Sequence, residues 1–102
     1  MAKPRVELQE KLEELIGTRN VYFQPPESVK LKYPCIIYRL SYMGRRMANN
    51  DMYTSTKRYE VTLIDKDPDS EIKEELIKLD YCSFNRYYTA DNLNHWVFEL
   101  YF

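Results

Sequence analysis

Residues 57–65 read Lys57-Arg58-Tyr59-Glu60-Val61-Thr62-Leu63-Ile64-Asp65, the clearest strand pattern in this chain. Apolar positions alternate with polar or charged ones, so that Tyr59, Val61 and Leu63 fall on one side. Alternation of this kind is typical of a strand with one face on a hydrophobic core and the other mostly in solvent. The stretch therefore predicts a sheet with one well-buried face.

Further strand patterns lie on both sides of this stretch. From Pro34 onward, one face of an extended segment carries Ile36, Tyr38, Leu40 and Tyr42. In residues 93–102 the most hydrophobic face of the protein carries Trp96, Phe98, Leu100 and Phe102. Shorter strands are predicted over residues 20–24 and 81–89, and Ala90-Asp91-Asn92 predicts a tight turn before the last strand.

Two segments have apolar residues at helical spacing instead. Residues 4–16 predict a first helix, with Pro4 at its first position and Gly17 as its natural stop. Its apolar face is formed by Leu8, Leu12, Leu15 and Ile16. Residues 68–79 predict a second helix, for which Asp67 is the expected N-cap and Pro68 the first residue. Its apolar stripe is formed by Ile72, Leu76 and Leu79.

The predicted order of elements is α-β-β-β-α-β-β. Runs of strands separated by helices, without strict βα alternation, are typical of an α+β fold. We therefore expect a mostly antiparallel sheet of four to five strands with two helices packed on one face. The length of 102 residues fits a single domain spanning residues 1–102. Residues 43–53 interrupt the strand pattern and predict a long loop that leaves the sheet.

Charge is unevenly distributed along the chain, although the net charge is only −1. Residues 29–58 carry seven basic side chains and one acid, whereas residues 59–102 carry ten acids and four bases. A chain of this charge is not a broad polycation for nucleic acid. It can instead present a positive surface to the negative surface of a neighbouring copy, and such a head-to-tail contact can close into a ring. The alternative is that the two groups of charges interleave on the folded surface and cancel.

Residues that usually carry catalysis are scarce in this sequence. His95 is the only histidine, and it falls on the face opposite the apolar stripe of the last strand. Cys35 and Cys82 lie far apart, without metal-ligand spacing, and are expected to be buried free thiols. The acidic residues of segment 65–71 are better explained by helix capping than by a calcium loop. The sequence therefore predicts a protein that is not an enzyme, with no catalytic residue, no cofactor and no metal.

The most conspicuous polar element is the pair Arg45 and Arg46 in the predicted 43–53 loop. Adjacent guanidinium groups in a loop favour contact with phosphates, or with carboxylates at a subunit junction. We therefore predict an interface with a neighbouring protein that comprises Arg45, Arg46, Asn49, Asn50 and Asp51. The ten tyrosines of the chain agree with this, because their rings are apolar and their hydroxyl ends are polar.

The sequence also indicates where the chain folds. It has no apolar run near the roughly 18 residues that a membrane-spanning helix needs. Residues 1–10 are charged and lack the apolar segment of a signal peptide. We therefore expect a protein that is synthesised in a cytoplasm and has no membrane partner.

Three stretches, taken in order, resemble the small tail-completion, tail-terminator or minor capsid neck proteins of long-tailed bacteriophages. The first is Lys32-Tyr33-Pro34-Cys35-Ile36-Ile37-Tyr38. The second comprises residues 57–65 together with Asp67-Pro68-Asp69-Ser70. The third begins at Cys82-Ser83-Phe84-Asn85-Arg86 and continues through Asp91-Asn92-Leu93-Asn94-His95 to the apolar end. Together they span residues 32–102.

The resemblance implies an α+β subunit of the virion that assembles into a ring, commonly a hexamer, to match the tail tube. It implies tail-tube protein on one side of the ring and head-connector or adaptor protein on the other. DNA would pass through such a ring without sequence-specific binding. The family has no catalytic residues to carry over. Whether the ring terminates the tail or joins it to the head stays open.

Two other functions stay open from the residues alone. A small RNA-cleaving enzyme of the toxin type could use Arg, Tyr and His95 on a sheet, although such enzymes are usually strongly basic and the pI here is about 5.8. RNA cleavage that is lost in His95→Ala would identify it. A nucleic-acid-binding module would instead show a salt-sensitive complex with DNA.

Overall fold

The computed structural model describes the backbone of residues 4–48 and 52–102, and the side chains of these residues outside 45–48 and 52–55. Within this part of the chain, two helices and five strands follow in the order α-β-β-β-α-β-β, which confirms the predicted α+β class. The elements are α1 (Arg5–Ile16), β1 (Val21–Phe23), β2 (Cys35–Ala48), β3 (Met52–Asp65), α2 (Ile72–Ile77), β4 (Cys82–Ala90) and β5 (Leu93–Tyr101).

The strands form one sheet in the spatial order β1-β2-β3-β5-β4. The short β1 pairs in parallel with β2, and the other neighbouring strands pair antiparallel. The sheet is therefore mostly antiparallel, as predicted. Asp91 and Asn92 connect β4 to β5, and both have positive φ, of 53° and 62°. This is the left-handed geometry of a two-residue type I′ hairpin turn, so the predicted tight turn is confirmed.

One face of the sheet carries the main hydrophobic core and both helices. Leu8 and Leu12 of α1 and Leu76 of α2 are fully buried there. The sheet contributes the apolar residues that alternate in the sequence, among them Ile36, Tyr38, Tyr59, Val61, Leu63, Trp96, Phe98 and Leu100. Gly17 ends α1 in the left-handed conformation, with φ of 78°. Neither of these two helices is long and apolar enough to cross a membrane.

The opposite face of the sheet carries a smaller apolar cluster of Cys35, Ile64 and Leu93. Leu31, in the connection between β1 and β2, packs against this cluster from outside the sheet. That connection includes a cis peptide bond between Tyr33 and Pro34. The second face is therefore partly covered, at the end of the sheet where β3 finishes.

Both helices are shorter than the sequence predicts. Pro4 has extended backbone, with ψ of 142°, and precedes a helix that begins at Arg5. The second helix begins at Ile72 instead of residue 68, because the Ser70 N–H donates to the Asp67 carbonyl at 3.3 Å and closes a turn. The Asp67 side chain accepts the Asp69 N–H at 2.9 Å. Asp67 therefore caps this turn and not the helix.

The prediction of a loop over residues 43–53 is wrong for the residues that the structure describes there. β2 continues through Ala48 and β3 begins at Met52, so the two strands pair from Cys35↔Ile64 to Ala48↔Met52. A register shift between Leu40 and Tyr42 makes Ser41 the extra residue of a bulge. Tyr42 consequently pairs with Arg58 and does not share the core face with Leu40, contrary to the prediction.

Candidate assembly surfaces

The β2–β3 hairpin extends beyond the rest of the sheet. Pairing of β2 with β1 ends at Tyr38, and pairing of β3 with β5 ends at the Arg58↔Tyr101 pair. Residues 43–48 and 52–56 pair only with each other among the strands described, whereas the Lys57 carbonyl accepts the Phe102 N–H at 3.1 Å. Six residues of extended chain reach about 20 Å. We name this segment the projecting hairpin; the longest dimension of the molecule is 52 Å.

The base of the projecting hairpin is held by Tyr42, Gly44 and Arg58. The Tyr42 ring lies across Gly44, where a Cβ atom would overlap with its Cζ and Cε2 atoms. The Arg58 guanidinium lies 5.5 Å from the centroid of the same ring. The Ser41 hydroxyl donates to the Arg58 carbonyl at 2.9 Å, which ties the bulge to β3. The missing side chain at Gly44 is thus replaced by the ring two residues earlier.

Arg45 and Arg46 lie on the projecting hairpin and not in a loop. The register pairs Arg45 with Ser55 and Arg46 with Thr54. The other three residues of the predicted interface, Asn49, Asn50 and Asp51, lie outside the described residues. The two arginines that the sequence singles out are therefore brought to the part of the sheet farthest from the helices and β5.

The opposite end of the sheet is acidic. β3 ends at Asp65, which pairs with Asn94 of β5, and the connection to α2 contains Asp67, Asp69 and Glu71. The last three side chains lie on exposed residues. Asp91, in the β4–β5 turn, lies at this same end of the sheet. It comes three residues before Asn94, which pairs with Asp65. Lys66 is the basic residue within this acidic turn, which we define as residues 65–71.

Hydrogen bonds from Asn94 attach the acidic turn to the sheet. The Asn94 amide donates to the Asp65 carbonyl at 3.2 Å and to the Lys66 carbonyl at 3.3 Å. Its Oδ1 atom accepts the Tyr87 hydroxyl at 2.5 Å. The Asp65 side chain also accepts the Asp67 N–H at 3.1 Å. The turn is therefore positioned by β4 and β5 as well as by its own backbone.

The face of the sheet opposite the helices carries an ion-pair cluster. Arg39 donates to Glu60 at 3.0 Å, and Arg86 lies 4.0 Å from the other oxygen of the same carboxylate. Asn85 donates to Glu99 at 3.2 Å on the neighbouring strands. Arg39 and Arg86 are more than half exposed, so these pairs contribute little to stability. Their effect is to keep Glu60 partnered on an open surface.

His95 lies on this same face, as the alternation predicts. Its ring stacks on Tyr88, with centroids 4.6 Å apart and planes inclined by 14°. The Arg86 guanidinium lies 5.7 Å from the Tyr88 ring, and His95 Nδ1 lies 3.2 Å from the Leu93 carbonyl oxygen. The structure thus brings together Arg86, Tyr88 and His95, the single histidine of the chain. Their proximity is not evident from the sequence.

The edge strand β4 exposes several aromatic side chains that the sequence pattern does not assign to a surface. Every residue of β4 except the half-buried Cys82 is exposed. Phe84 packs edge-on against Phe98 and Tyr87 packs against Trp96, yet both are about half exposed, at 51% and 48%. Alternation cannot reveal this, because an edge strand at the border of the core places its apolar residues beside the core without covering them.

Both cysteines are free thiols, as predicted; Cys35 is buried, and Cys82 is half-buried. Burial raises the pKa of Cys35 to about 12, with a smaller contribution from the negative charge of Asp65. Burial also raises the pKa of Cys82 to about 11. Since the thiolate is the reactive form, both thiols are poor nucleophiles near neutral pH.

The described surfaces carry charged side chains, exposed aromatic rings and the Tyr88–His95 stack. In the part of the chain that the structure describes, no group of three or more His, Cys, Asp or Glu could hold a metal ion. The exposed elements are a projecting hairpin, an acidic turn and an aromatic edge. No protein-family model and no curated protein matches this chain.

Proposed function

We propose that this chain is a structural subunit of the neck of a long-tailed bacteriophage. Copies of it form a ring that terminates the tail tube or joins the tail to the head connector. The resemblance of residues 32–102 to neck proteins is the origin of this proposal. The observation that supports it most is the projecting hairpin, because a ribbon that extends beyond its pairing with β1 and β5 is suited to contact a neighbouring protein.

The exposed aromatic edge is a second support for an assembly role. Phe84 and Tyr87 of β4 are half exposed, and Tyr81 just before this strand is 81% exposed. Interfaces between proteins are enriched in Tyr and Phe relative to the remaining surface. A subunit with neighbours on several sides needs more than one such surface. The hairpin and the β4 edge lie on different parts of the sheet and can serve different neighbours.

The proposal is tested in the virus particle. Finished particles of the phage that encodes the chain should contain it, and antibodies against it should label the junction of head and tail in electron micrographs. A phage lacking the chain should accumulate unjoined heads and tails. Finished particles without the chain, or infectious phage in its absence, would contradict the proposal.

The Tyr88–His95 stack favours a second candidate, a small RNA-cleaving enzyme. Arg86 beside this stack supplies the positive charge that such an enzyme would place near a phosphate. Against it, Arg86 also lies near Glu60, and the chain as a whole is slightly acidic. Incubation of the purified chain with RNA decides between the two. The control variant is Asn92→Gly. Cleavage of RNA that disappears in His95→Ala and persists in Asn92→Gly would establish the enzyme.

A further inference from the structure

We propose that the projecting hairpin of one copy docks on the acidic turn of a second copy. This inference rests on the proposed ring and names the two surfaces that would form its subunit contact. The hairpin contributes Arg45 and Arg46, with Arg58 at its base. The acceptor is the acidic turn, residues 65–71, with Asp91 beside it.

The register of β2 and β3 separates these two surfaces along the sheet. β3 begins at the hairpin and ends at Asp65, so its two ends lie at opposite ends of the molecule. Fourteen residues of extended chain measure about 45 Å. Charges at that separation are screened from each other at physiological salt, where the Debye length is about 8 Å. The basic hairpin therefore cannot be neutralised by the acidic turn of its own chain.

Charge complementarity identifies the occupant as another copy of this chain. Residues 43–58 carry four basic residues and one acid, Asp51. The acidic turn carries four carboxylates and Lys66, and Lys73 Nζ donates to its Ser70 carbonyl at 2.7 Å. Because the two surfaces differ, contact between copies is head-to-tail and leaves a free hairpin and a free turn in every open assembly. Closure into a ring satisfies both surfaces on every subunit.

The two sides of the contact are suited to it in different ways. A two-stranded ribbon is marginally stable alone, so the hairpin gains stability from a partner. The acidic turn is held in place by Asn94 and by the side chains of Asp65 and Asp67, so little conformational freedom is lost on docking. Asp69 and Glu71 are exposed, which makes them the carboxylates best placed for an incoming guanidinium.

Two charge-reversed variants test the proposal with the purified full-length chain. The hairpin variant carries Arg45→Glu and Arg46→Glu, and the turn variant carries Asp69→Lys and Glu71→Lys. Sedimentation at low salt should show that the wild-type chain self-associates and that added salt weakens this association. Each variant alone should self-associate at least about tenfold more weakly, because like charges then meet at every contact.

Mixing the two variants is the decisive step. The acidic hairpin of the hairpin variant can bind the basic turn of the turn variant. The wild-type hairpin of the turn variant can bind the wild-type acidic turn of the hairpin variant. An equimolar mixture should therefore regain association, in assemblies with an even number of alternating copies. A single chain that carries all four substitutions should also regain it. Failure of both combinations to recover association would overturn the inference.

Control variants separate local charge from overall charge. Glu10→Lys with Glu14→Lys on α1 changes the net charge as the turn variant does, and should leave association unchanged. Lys30→Glu with Lys32→Glu changes the net charge as the hairpin variant does, and should not weaken association either. A wild-type chain that stays monomeric at low salt and at its highest soluble concentration overturns this contact between copies. The proposed function would then still be decided by the composition of finished particles.

Discussion

Tyr42 and Arg58 face each other across β2 and β3, with the Arg58 guanidinium 5.5 Å from the centre of the Tyr42 ring. Arg58 also pairs with Tyr101, the last residue of β5. The pair therefore marks the point where a sheet of several strands becomes a two-stranded ribbon. The bulge at Ser41 lies one residue before it and turns the Tyr42 ring toward Gly44.

We expect Tyr42→Ala to loosen the projecting hairpin without unfolding the sheet. The substitution removes the ring over Gly44 and the cation–π contact, worth about 0.5–1 kcal/mol at an exposed site. Amide hydrogens of the hairpin residues that pair beyond Arg58 should exchange faster, while those of the β3–β5 pairs should not. Tyr42→Phe keeps the ring and is the control. Equal acceleration throughout the sheet would show that Tyr42 supports the whole fold instead.

Asn94→Ala should release the acidic turn. It removes the bonds to the carbonyls of Asp65 and Lys66 and the acceptor of the Tyr87 hydroxyl. We expect a loss of about 1–2 kcal/mol in the free energy of unfolding, measured by urea denaturation. Tyr87→Phe removes only one of these three bonds and should cost less. A variant as stable as the wild type would mean that water replaces the amide without loss.

The attachment of α1 to the sheet depends on the Tyr38 hydroxyl. This hydroxyl donates to Gln9 Oε1 at 2.6 Å and accepts a bond from Arg5 at 3.0 Å. Tyr38 itself is fully buried. Tyr38→Phe should lower the free energy of unfolding by about 1–2 kcal/mol. In a double-mutant cycle with Gln9→Ala the two losses should not add, whereas additive losses would show that the bond contributes nothing.

The fold should lose stability at alkaline pH because of its buried thiols. The pKa of Cys35 rises from an ordinary value near 9 to about 12 on folding, so above pH 9 the unfolded chain releases a proton that the folded chain keeps. The contribution of Cys35 to the free energy of unfolding is therefore complete below pH 9 and is lost between pH 9 and 12. In this range the free energy of unfolding should fall with pH by up to about 1.4 kcal/mol per pH unit.

Cys35→Ala tests this origin of the pH dependence. Unfolding by urea at several pH values above 9 should give a shallower slope for the variant than for the wild type. Some dependence should persist, because burial also raises the pKa of Cys82, Tyr38 and Tyr59. An unchanged slope would exclude Cys35 as a contributor.

The sequence predicts the order of elements and the core face of the sheet because alternation is strongest where burial is one-sided. Tyr59, Val61 and Leu63 all reach the core, as do Trp96, Phe98 and Leu100 of β5. The sequence does not predict the projecting hairpin as strand, because alternation reflects burial of one sheet face on a core and this ribbon extends beyond its pairing with β1 and β5. Its strands are defined by pairing with each other, and Gly44 and Arg45-Arg46 resemble a loop in composition alone.

The start of α2 and the composition of the exposed surfaces could not be predicted from the sequence either, because both depend on contacts between distant segments. Asp67-Pro68 is a frequent helix start, but here the Asp67 side chain caps a turn. Asn94 holds this turn by bonds to the carbonyls of Asp65 and Lys66, which lie 29 and 28 positions earlier in the chain. The Tyr88–His95 stack and the separation of charge between hairpin and acidic turn also depend on strand register. Register between distant segments is not readable from local spacing.

In the function we propose, copies of this chain assemble into a ring in the virus neck. The most direct measurement is the native mass of the complex that holds the chain after finished particles are taken apart gently. The mass contributed by the chain should be a fixed whole-number multiple of 12.4 kDa, with six copies matching a six-fold tail tube. Particles that lack the chain, or that release it only as single copies, would contradict the claim.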